Sequence, residues 1–200
     1  MVQLPQQFGG MAGEAIYLDS ECTFVPERIA EMAKSVVNQL EINSSTFSPE
    51  SVLSKIYYHR ILNPLQLSNV VRSLEKMLIS KPKVKLVVID SIAAPLRQEF
   101  EDYTNRALFL TNIGSSLARL ATKYKIAIVV TNQVTTKIGD KTSTQAASLG
   151  KAWSSIPAMQ VMIGRATNSS ERWAKLIKVL SPPLGDVSTC QFSISVSKRC

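Results

Sequence analysis

Three short polar segments directly follow apolar runs, and they carry side chains that phosphate chemistry uses. They are Asp19-Ser20-Glu21, Asp90-Ser91 and Thr131-Asn132-Gln133. In open parallel sheets, ligands bind beyond the carboxyl ends of the strands. If each apolar run is a strand of one such sheet, the three segments converge on the same edge. We therefore expect a nucleotide phosphate site at that edge.

Each segment supplies one candidate group for this chemistry. Asp90 follows the apolar residues 86–89, and a magnesium ion bound to phosphates needs only one or two carboxylates because it keeps several waters. Glu21 could orient, or take a proton from, a water that attacks a terminal phosphate. Gln133 could hydrogen-bond that phosphate and report its presence to the residues that follow. Taken singly, each group is equally open to a plain structural role, such as a solvated acid in a turn.

The elements that position these groups can be predicted from apolar spacing and from helix-start signals. We predict strands at residues 15–18, 55–60, 84–89 and 126–130, and helices beginning at Pro26, at Pro64 with Asn63 as its cap, and at Thr104. Residues 41–49 are mostly polar and are predicted to form a loop. Strands that are apolar throughout and alternate with helices favour an α/β fold with a parallel sheet covered on both faces.

The pattern changes in the last third of the chain. Residues 159–163, 174–179 and 191–196 are predicted to be short strands without helices between them, forming an antiparallel extension of the same sheet. Residues 134–151 are polar and rich in Ser, Thr, Lys and Gly, and we expect a long loop there, which is usually functional or disordered. The whole chain, residues 1–200, is expected to form one domain.

Composition bounds the class of partner. Lysine and arginine number 23 against 15 acidic residues, which gives a net charge of +8 and favours an anionic partner, nucleic acid first. An ordinary basic domain remains an alternative. The three cysteines are odd in number and far apart, which argues against a disulfide framework or a zinc site. These cysteines fit a reducing, intracellular compartment. No apolar stretch is long enough to span a bilayer, and we expect no membrane partner.

The segments taken together resemble the RecA-type recombinases of eukaryotes. The matching residues are 9–10, 13–24, 26–28, 86–91 and 131–133, which span most of the chain. That family includes the Rad51 paralogues. The chain is most similar to paralogue C at residues 55–58, 131–138 and 149–153, and paralogue B is the nearest alternative. The resemblance implies a RecA-like ATPase core and a nuclear protein of recombinational DNA repair. Its partners would be single-stranded DNA, other recombinase paralogues and the recombinase whose filament it helps to assemble.

The resemblance also implies roles for single residues. Glu21 matches the family's catalytic glutamate, Asp90 its magnesium-linked aspartate, acting through water, and Gln133 its γ-phosphate sensor. Residues 97–106 and 134–151 match two DNA-binding loops. The basic residues that would contact the backbone of single-stranded DNA are Arg97, Arg106, Lys137, Lys141 and Lys151, although each is equally open to being a solvated surface charge.

Two aromatic residues of the first loop need separate treatment. Phe100 and Tyr103 have rings that could stack on a base. We expect both to pack against the sheet instead.

One departure from the family pattern lies beside the catalytic position. Cys22 occupies a position where the family usually has glycine. Cysteine adopts positive φ less readily than glycine, so we expect an altered turn. We interpret the cysteine as a structural substitution rather than a reactive thiol.

A larger departure is that the 200 residues contain no Gly-x-x-x-x-Gly-Lys-Ser/Thr segment. In the family this phosphate-binding loop and its strand precede the region of residues 7–10, and the loop supplies most of the grip on the phosphates. We therefore expect a partial RecA-like core that lacks the loop's strand, as a fragment or truncated isoform of a longer protein. ATP and Mg²⁺ would bind to the full-length parent and only weakly, if at all, to this chain.

Two other classes of function remain open. A non-catalytic interaction subunit, completed by a partner, would also explain the missing loop. A RecA-fold motor such as a hexameric helicase is disfavoured by the ending Thr131-Asn132-Gln133 and the residues after it.

Overall fold

The computed structural model of the protein describes residues 2–42, 47–97, 102–138, 143–147, 149–165, 171–179 and 189–193. By packing, the chain divides into two units, Met1–Ser155 and Ile156–Cys200. The first holds a parallel sheet with its helices, and the second holds an antiparallel sheet. The expectation of a single domain stays a prediction. Within the described residues, no helix combines the length and the apolar character needed to cross a membrane.

The parallel sheet has four strands in the order β2-β1-β3-β4. Its strands are β1 (Glu14–Asp19), β2 (Ile56–Arg60), β3 (Val84–Asp90) and β4 (Ala127–Val130), so the predicted strands and the predicted α/β class are confirmed. Register places Asp19 beside Asp90 at the carboxyl end of the sheet. The apolar side chains of one face are fully buried: Ile16, Leu18, Val87 and Ile89. Among the described strands β4 lies at one edge of the sheet, and its Val129 is 49% exposed.

Helices connect and cover these strands. They are α1 (Pro26–Leu40), α2 (Pro49–Ser54), α3 (Pro64–Ser80) and α4 (Tyr103–Tyr124). Asn63 caps α3 as predicted, because its Oδ1 accepts a hydrogen bond of 2.8 Å from the backbone N–H of Gln66. The inner face of α3 buries Leu67, Val71, Leu74 and Leu78, and that of α4 buries Leu110, Ile113, Leu117 and Leu120.

The short helix α2 was not predicted. It begins at Pro49, where the expected loop ends, and Ser48 caps it by accepting a hydrogen bond of 3.2 Å from the N–H of Ser51. Its Val52 is buried together with Ala33 of α1 in a small apolar cluster that also includes Leu4, Ile42 and Phe47. This burial stabilises a helix too short to persist by propensity alone.

Residues 134–151, predicted to be one loop, contain regular structure. β5 (Val134–Ile138) and β6 (Ser143–Ala147) pair antiparallel, and α5 (Gly150–Ser154) follows. The segment is rich in threonine, a β-branched residue that favours extended backbone, although its polarity hides the strand pattern. Residues 139–142 and 148 lie outside the described residues.

The second unit contains β7 (Met159–Arg165), β8 (Glu171–Val179) and β9 (Thr189–Ser193), antiparallel in that order. The three predicted strands are confirmed, except that residues 194–196 lie outside the described part of the chain. We expected these strands to extend the parallel sheet. In the described residues they pair only with one another and form a separate sheet.

Candidate functional site

The three polar strand ends meet at the carboxyl edge of the parallel sheet. Glu21 is the centre of the contacts: its Oε1 accepts hydrogen bonds from Ser91 Oγ at 2.6 Å and from Gln133 Nε2 at 2.8 Å. Arg97 Nη2 lies 3.4 Å from the same oxygen and forms an ion pair with it. The predicted convergence is therefore present, with Asp90 directly before Ser91. The chemical roles assigned to these residues stay predictions.

Asp90 is held by hydroxyl groups from both neighbouring strands. Its Oδ1 accepts a hydrogen bond of 2.6 Å from Thr131 Oγ1, and its Oδ2 accepts one of 2.5 Å from the Tyr17 hydroxyl and one of 3.2 Å from Thr23 Oγ1. Burial raises the pKa of Tyr17 well above its usual range, and the hydrogen bond and negative charge of Asp90 add to that shift. The phenol therefore stays a donor to the carboxylate.

This environment bears on the magnesium that the resemblance implies. In the described residues, no cluster of three or more His, Cys, Asp or Glu side chains could hold a metal ion. Three hydroxyl groups already donate to the Asp90 carboxylate. The carboxylate therefore suits a contact with magnesium through a water molecule better than direct coordination of the ion.

Asp19 organises the turn that carries Glu21. It is 1% exposed, and its Oδ1 accepts hydrogen bonds from the backbone N–H of Glu21 at 3.0 Å and of Thr23 at 3.3 Å. Its Oδ2 accepts from the N–H of Phe24 and from the Tyr58 hydroxyl, both at 3.2 Å. Burial alone would raise the pKa of Asp19, but these hydrogen bonds outweigh it and the pKa is lowered. The ionised carboxylate thus fixes the direction in which Glu21 leaves the strand.

Two serines lock β1 to β3 at the same level. Ser20 Oγ donates to the carbonyl oxygen of Ser91 at 2.7 Å and accepts from its N–H at 2.8 Å. Ser91 is 2% exposed, so its hydroxyl is shielded from solvent where it donates to Glu21. Sequence reasoning included Ser20, Ser91 and Thr131 in the predicted segments but gave them no role, and it did not identify Tyr17 as a site residue. The one available signal was their position at or next to the strand ends.

Cys22 lies in the left-handed region with a φ of 59° and is exposed. This conformation favours glycine, so the position has the backbone demand that the family's glycine would satisfy. The turn is therefore formed with the cysteine in place, at a cost in backbone strain.

The five predicted DNA contacts are placed unequally. Arg97 is exposed and ion-paired with Glu21, while Arg106 is half-buried, with its Cζ 5.7 Å from the centre of the Tyr103 ring. Lys137 lies in β5 and Lys151 in α5, but their side chains are not among those described. Lys141 lies outside the described residues.

The expectation that Tyr103 packs against the sheet is wrong. The residue is 61% exposed, because it begins α4 well before Leu110, the first buried residue of that helix. Phe100 lies outside the described residues.

The groups at this edge fit only one end of a nucleotide. Glu21 and Gln133 could face a terminal phosphate, although such a phosphate would have to replace the hydrogen bond between them. The glycine-rich loop that grips the other phosphates does not occur in the 200 residues. The residues present therefore fit the terminal phosphate and its magnesium, and not the rest of the nucleotide.

Comparison with known proteins gives the same kinship. The family model described as Rad51 matches residues 1–197. The chain is 36% identical over 171 residues to the "DNA repair protein RAD51 homolog 3" of Dictyostelium discoideum, covering 80% of this chain and 45% of the relative. It is 31% identical over 206 residues to the protein of the same name from Cricetulus griseus, covering 97% of this chain and 55% of the relative. The chain thus spans about half the length of these curated relatives. With its parallel α/β core, it belongs to the Rad51 family.

Proposed function

We propose that the protein acts in DNA repair by homologous recombination, as a Rad51 paralogue of the homolog 3, or C, type. Together with a phosphate-binding loop, these residues would bind ATP with Mg²⁺, and the protein would bind single-stranded DNA and help the recombinase filament to assemble with other paralogues in the nucleus. The observation that carries the proposal is the hydrogen bond of 2.8 Å between Glu21 and Gln133, which follow β1 and β4 on either side of β3.

This contact supports a chemical role for the sheet edge. Bound ATP would supply the phosphoryl group, and its magnesium would neutralise the developing charge. Glu21 would orient the attacking water, with Ser91 Oγ at 2.6 Å keeping one carboxylate oxygen in place. The Asp90 carboxylate would accept hydrogen bonds from magnesium-bound water while Tyr17 and Thr131 hold it.

The same contacts link the carboxyl edge of the parallel sheet to the two predicted DNA-binding loops, residues 97–106 and 134–151. Gln133 directly precedes β5, and Arg97 lies in the first DNA segment while its guanidinium pairs with Glu21. A DNA phosphate that draws Arg97 away would remove one of three donors from the Glu21 carboxylate. DNA binding would in this way alter the group that orients water.

DNA binding is tested by fluorescence anisotropy with a labelled oligo(dT) at several salt concentrations. We expect affinity to fall with salt, and the Arg97→Ala variant to lower the slope of log affinity against log salt by about 0.7, because one phosphate is then no longer neutralised. Arg119→Ala is the matched control, because Arg119 is similarly exposed and also paired with a glutamate, at the far end of α4. An unchanged slope for Arg97→Ala would contradict its assignment as a DNA contact.

ATP binding needs a separate test. Because the phosphate-binding loop does not occur in these residues, we expect the purified 200-residue chain to bind ATP very weakly or not at all in calorimetric titration. Tight binding that depends on magnesium would contradict this expectation.

A second candidate for these residues is a non-catalytic interaction subunit of a paralogue complex, which would act without binding ATP itself. Sequencing the transcript upstream of Met1 separates the two proposals. A glycine-rich loop ending in Lys-Thr supports the ATPase, whereas an upstream sequence without it supports the interaction subunit.

A further inference from the structure

The positive charge of the chain is concentrated in two segments that end helices α3 and α4. Residues 75–85 and 119–125 hold seven lysine or arginine residues and one acid, Glu75, in a chain whose net charge is +8. A helix C-terminus carries the equivalent of roughly half a negative charge, so the two helix ends and Glu75 offset only about two of the seven positive charges. A positive field therefore remains around the ends of these helices.

These segments lie at the opposite end of the parallel sheet from Glu21. α3 leads into the amino end of β3, α4 leads into the amino end of β4, and the two strands are parallel neighbours. Glu21 and Gln133 meet beyond the carboxyl ends. The charge is therefore separate from the proposed nucleotide site and from the predicted DNA-binding loops, which follow the carboxyl ends of β3 and β4.

Some of these cations already have a partner inside the protein. Arg119 and Lys123 form ion pairs with Glu75, at 3.2 and 2.7 Å. Lys81 places its Nζ 3.7 Å from the centre of the Tyr57 ring. In the part of the chain that the structure describes, the four remaining lysines form no ion pair: the exposed Lys76, Lys83 and Lys125, and the half-buried Lys85. These four lack an internal counterion and are available to an anionic partner.

An apolar cleft lies among these lysines. It has a volume of about 210 Å³ and is lined by Leu78, Ile79, Pro82, Val84 and Tyr124. Leu78 and Val84 are 3% and 2% exposed, whereas Ile79 is 66% exposed. Lys83 and Lys125 directly adjoin lining residues in the sequence. Since an apolar cavity of about 150 Å³ holds a benzene ring, the cleft has room for one leucine or phenylalanine side chain.

We propose that this cleft and its lysines form a docking site for an acidic peptide segment of a partner protein. One bulky apolar side chain of the segment enters the cleft, and the carboxylates on either side of it face the lysines. A central apolar pocket with a charged rim is the usual anatomy of a protein interface, and the opposite charges favour encounter and exclude basic segments. A DNA duplex fits less well, because its phosphates would meet the lysines and leave Ile79 uncovered. The site is independent of the nucleotide and DNA binding proposed above.

The test measures fluorescence anisotropy of three labelled probes with the whole chain. They are a short peptide of aspartates and glutamates with one central phenylalanine, the same peptide with alanine at its centre, and a DNA duplex. We expect the phenylalanine peptide to bind about tenfold more tightly than the alanine peptide, because its ring is buried in the cleft. Ile79→Ala should reduce that preference by about fourfold or more. Lys83→Glu should weaken the binding of both peptides alike and lower its dependence on salt.

Two control variants make the same kinds of change elsewhere. Leu65→Ala truncates an apolar residue that is 67% exposed at the other end of α3. Lys34→Glu reverses an exposed charge on α1. Both variants should retain the wild-type affinity for the two peptides. If they lose as much affinity as Ile79→Ala and Lys83→Glu, the binding is not specific to the cleft and the inference fails.

Three other outcomes overturn the inference. If the wild-type chain binds neither peptide, the cleft is not a docking site for acidic segments. If it binds both peptides equally, or if Ile79→Ala leaves the preference unchanged, the cleft does not hold an apolar anchor. If the duplex binds more tightly than the phenylalanine peptide and Lys83→Glu weakens it, the surface is a nucleic-acid site instead. None of these outcomes bears on the proposed ATP site, which lies at the other end of the sheet.

Discussion

Replacing Asp19 by asparagine tests whether the turn that carries Glu21 depends on a buried negative charge. Asparagine has almost the same shape, so the change removes the charge and one acceptor without opening a cavity. In the wild-type chain three backbone N–H groups and one hydroxyl donate to the two carboxylate oxygens. An asparagine keeps one of those oxygens and puts an NH₂ group, a donor, in place of the other.

The size of the effect follows from that geometry. With the amide oxygen at the Oδ1 position, the N–H groups of Glu21 and Thr23 keep an acceptor, but the N–H of Phe24 faces the NH₂ group. Two hydrogen bonds to a charged acceptor become neutral, at a cost of about 1 kcal/mol each, and leaving the third donor unpaired costs roughly 1–3 kcal/mol. The opposite amide orientation leaves two donors unpaired. We expect a total destabilisation of about 3–5 kcal/mol at neutral pH.

The effect should depend on pH with a definite sign. The pKa of Asp19 is lowered in the folded chain, so its charge contributes stability that is present above the ordinary aspartate range. That contribution is lost as the pH falls through the folded pKa. The difference between wild type and Asp19→Asn should therefore be largest near neutral pH and shrink in acid.

Urea unfolding followed by circular dichroism, at about pH 7 and about pH 3, measures both quantities. The control is Asp102→Asn, because Asp102 also accepts a backbone hydrogen bond but is an exposed helix cap. Asparagine and aspartate cap helices about equally well, so its effect should be a few tenths of a kcal/mol. A loss below about 1 kcal/mol for Asp19→Asn, or one that is the same at both pH values, would refute the reasoning.

Three further predictions concern other residues. Cys22→Gly should raise the free energy of unfolding by about 0.5–1 kcal/mol because it relieves a positive φ, and a decrease would show that the thiol makes a stabilising contact. Alkaline titration should show one tyrosine that ionises above the ordinary tyrosine range, and the free energy of unfolding should fall as the pH rises above that range. Tyr17→Phe should remove this late ionisation; if it persists, it belongs to another tyrosine. Glu75 should titrate at about 2 in carbon-detected NMR, because Arg119 and then Lys123 hydrogen-bond to it. Glu75→Gln should lower the free energy of unfolding at pH values above the ordinary glutamate pKa, and the loss should be smaller in acid or in high salt. A loss that does not change with salt would contradict this account.

Most of the parallel sheet was predictable because its signals are local. An apolar run predicts a buried strand regardless of which strand it pairs with. Asn63 followed by Pro64 predicts the start of a helix from two adjacent residues. The hairpin of β5 and β6 was not predictable, since threonine-rich strands lack apolar alternation. The separation of β7–β9 from the parallel sheet depends on pairing between distant residues, which no local pattern reports.

The candidate site divides along the same line. Glu21, Asp90 and Gln133 were found because the carboxyl ends of parallel strands share an edge, whatever the side chains between them. The sequence assigned no role to Ser91 or Tyr17, since hydroxyl groups gain a role only when register places them against a particular carboxylate. The exposure of Tyr103 was hidden because its spacing to Leu110 continues the buried face of α4.

The open edge of β4 has a practical consequence. In the described residues its outer backbone groups have no strand to bond with, and Val129 adds apolar surface beside them. Such an edge can pair with any extended chain, including the same edge of a second copy of the protein. If this edge of β4 stays uncovered, the 200-residue chain will aggregate at high concentration and will be bound by chaperones or degraded by proteases in a cell. How long the protein survives after synthesis will depend on how soon that edge is covered.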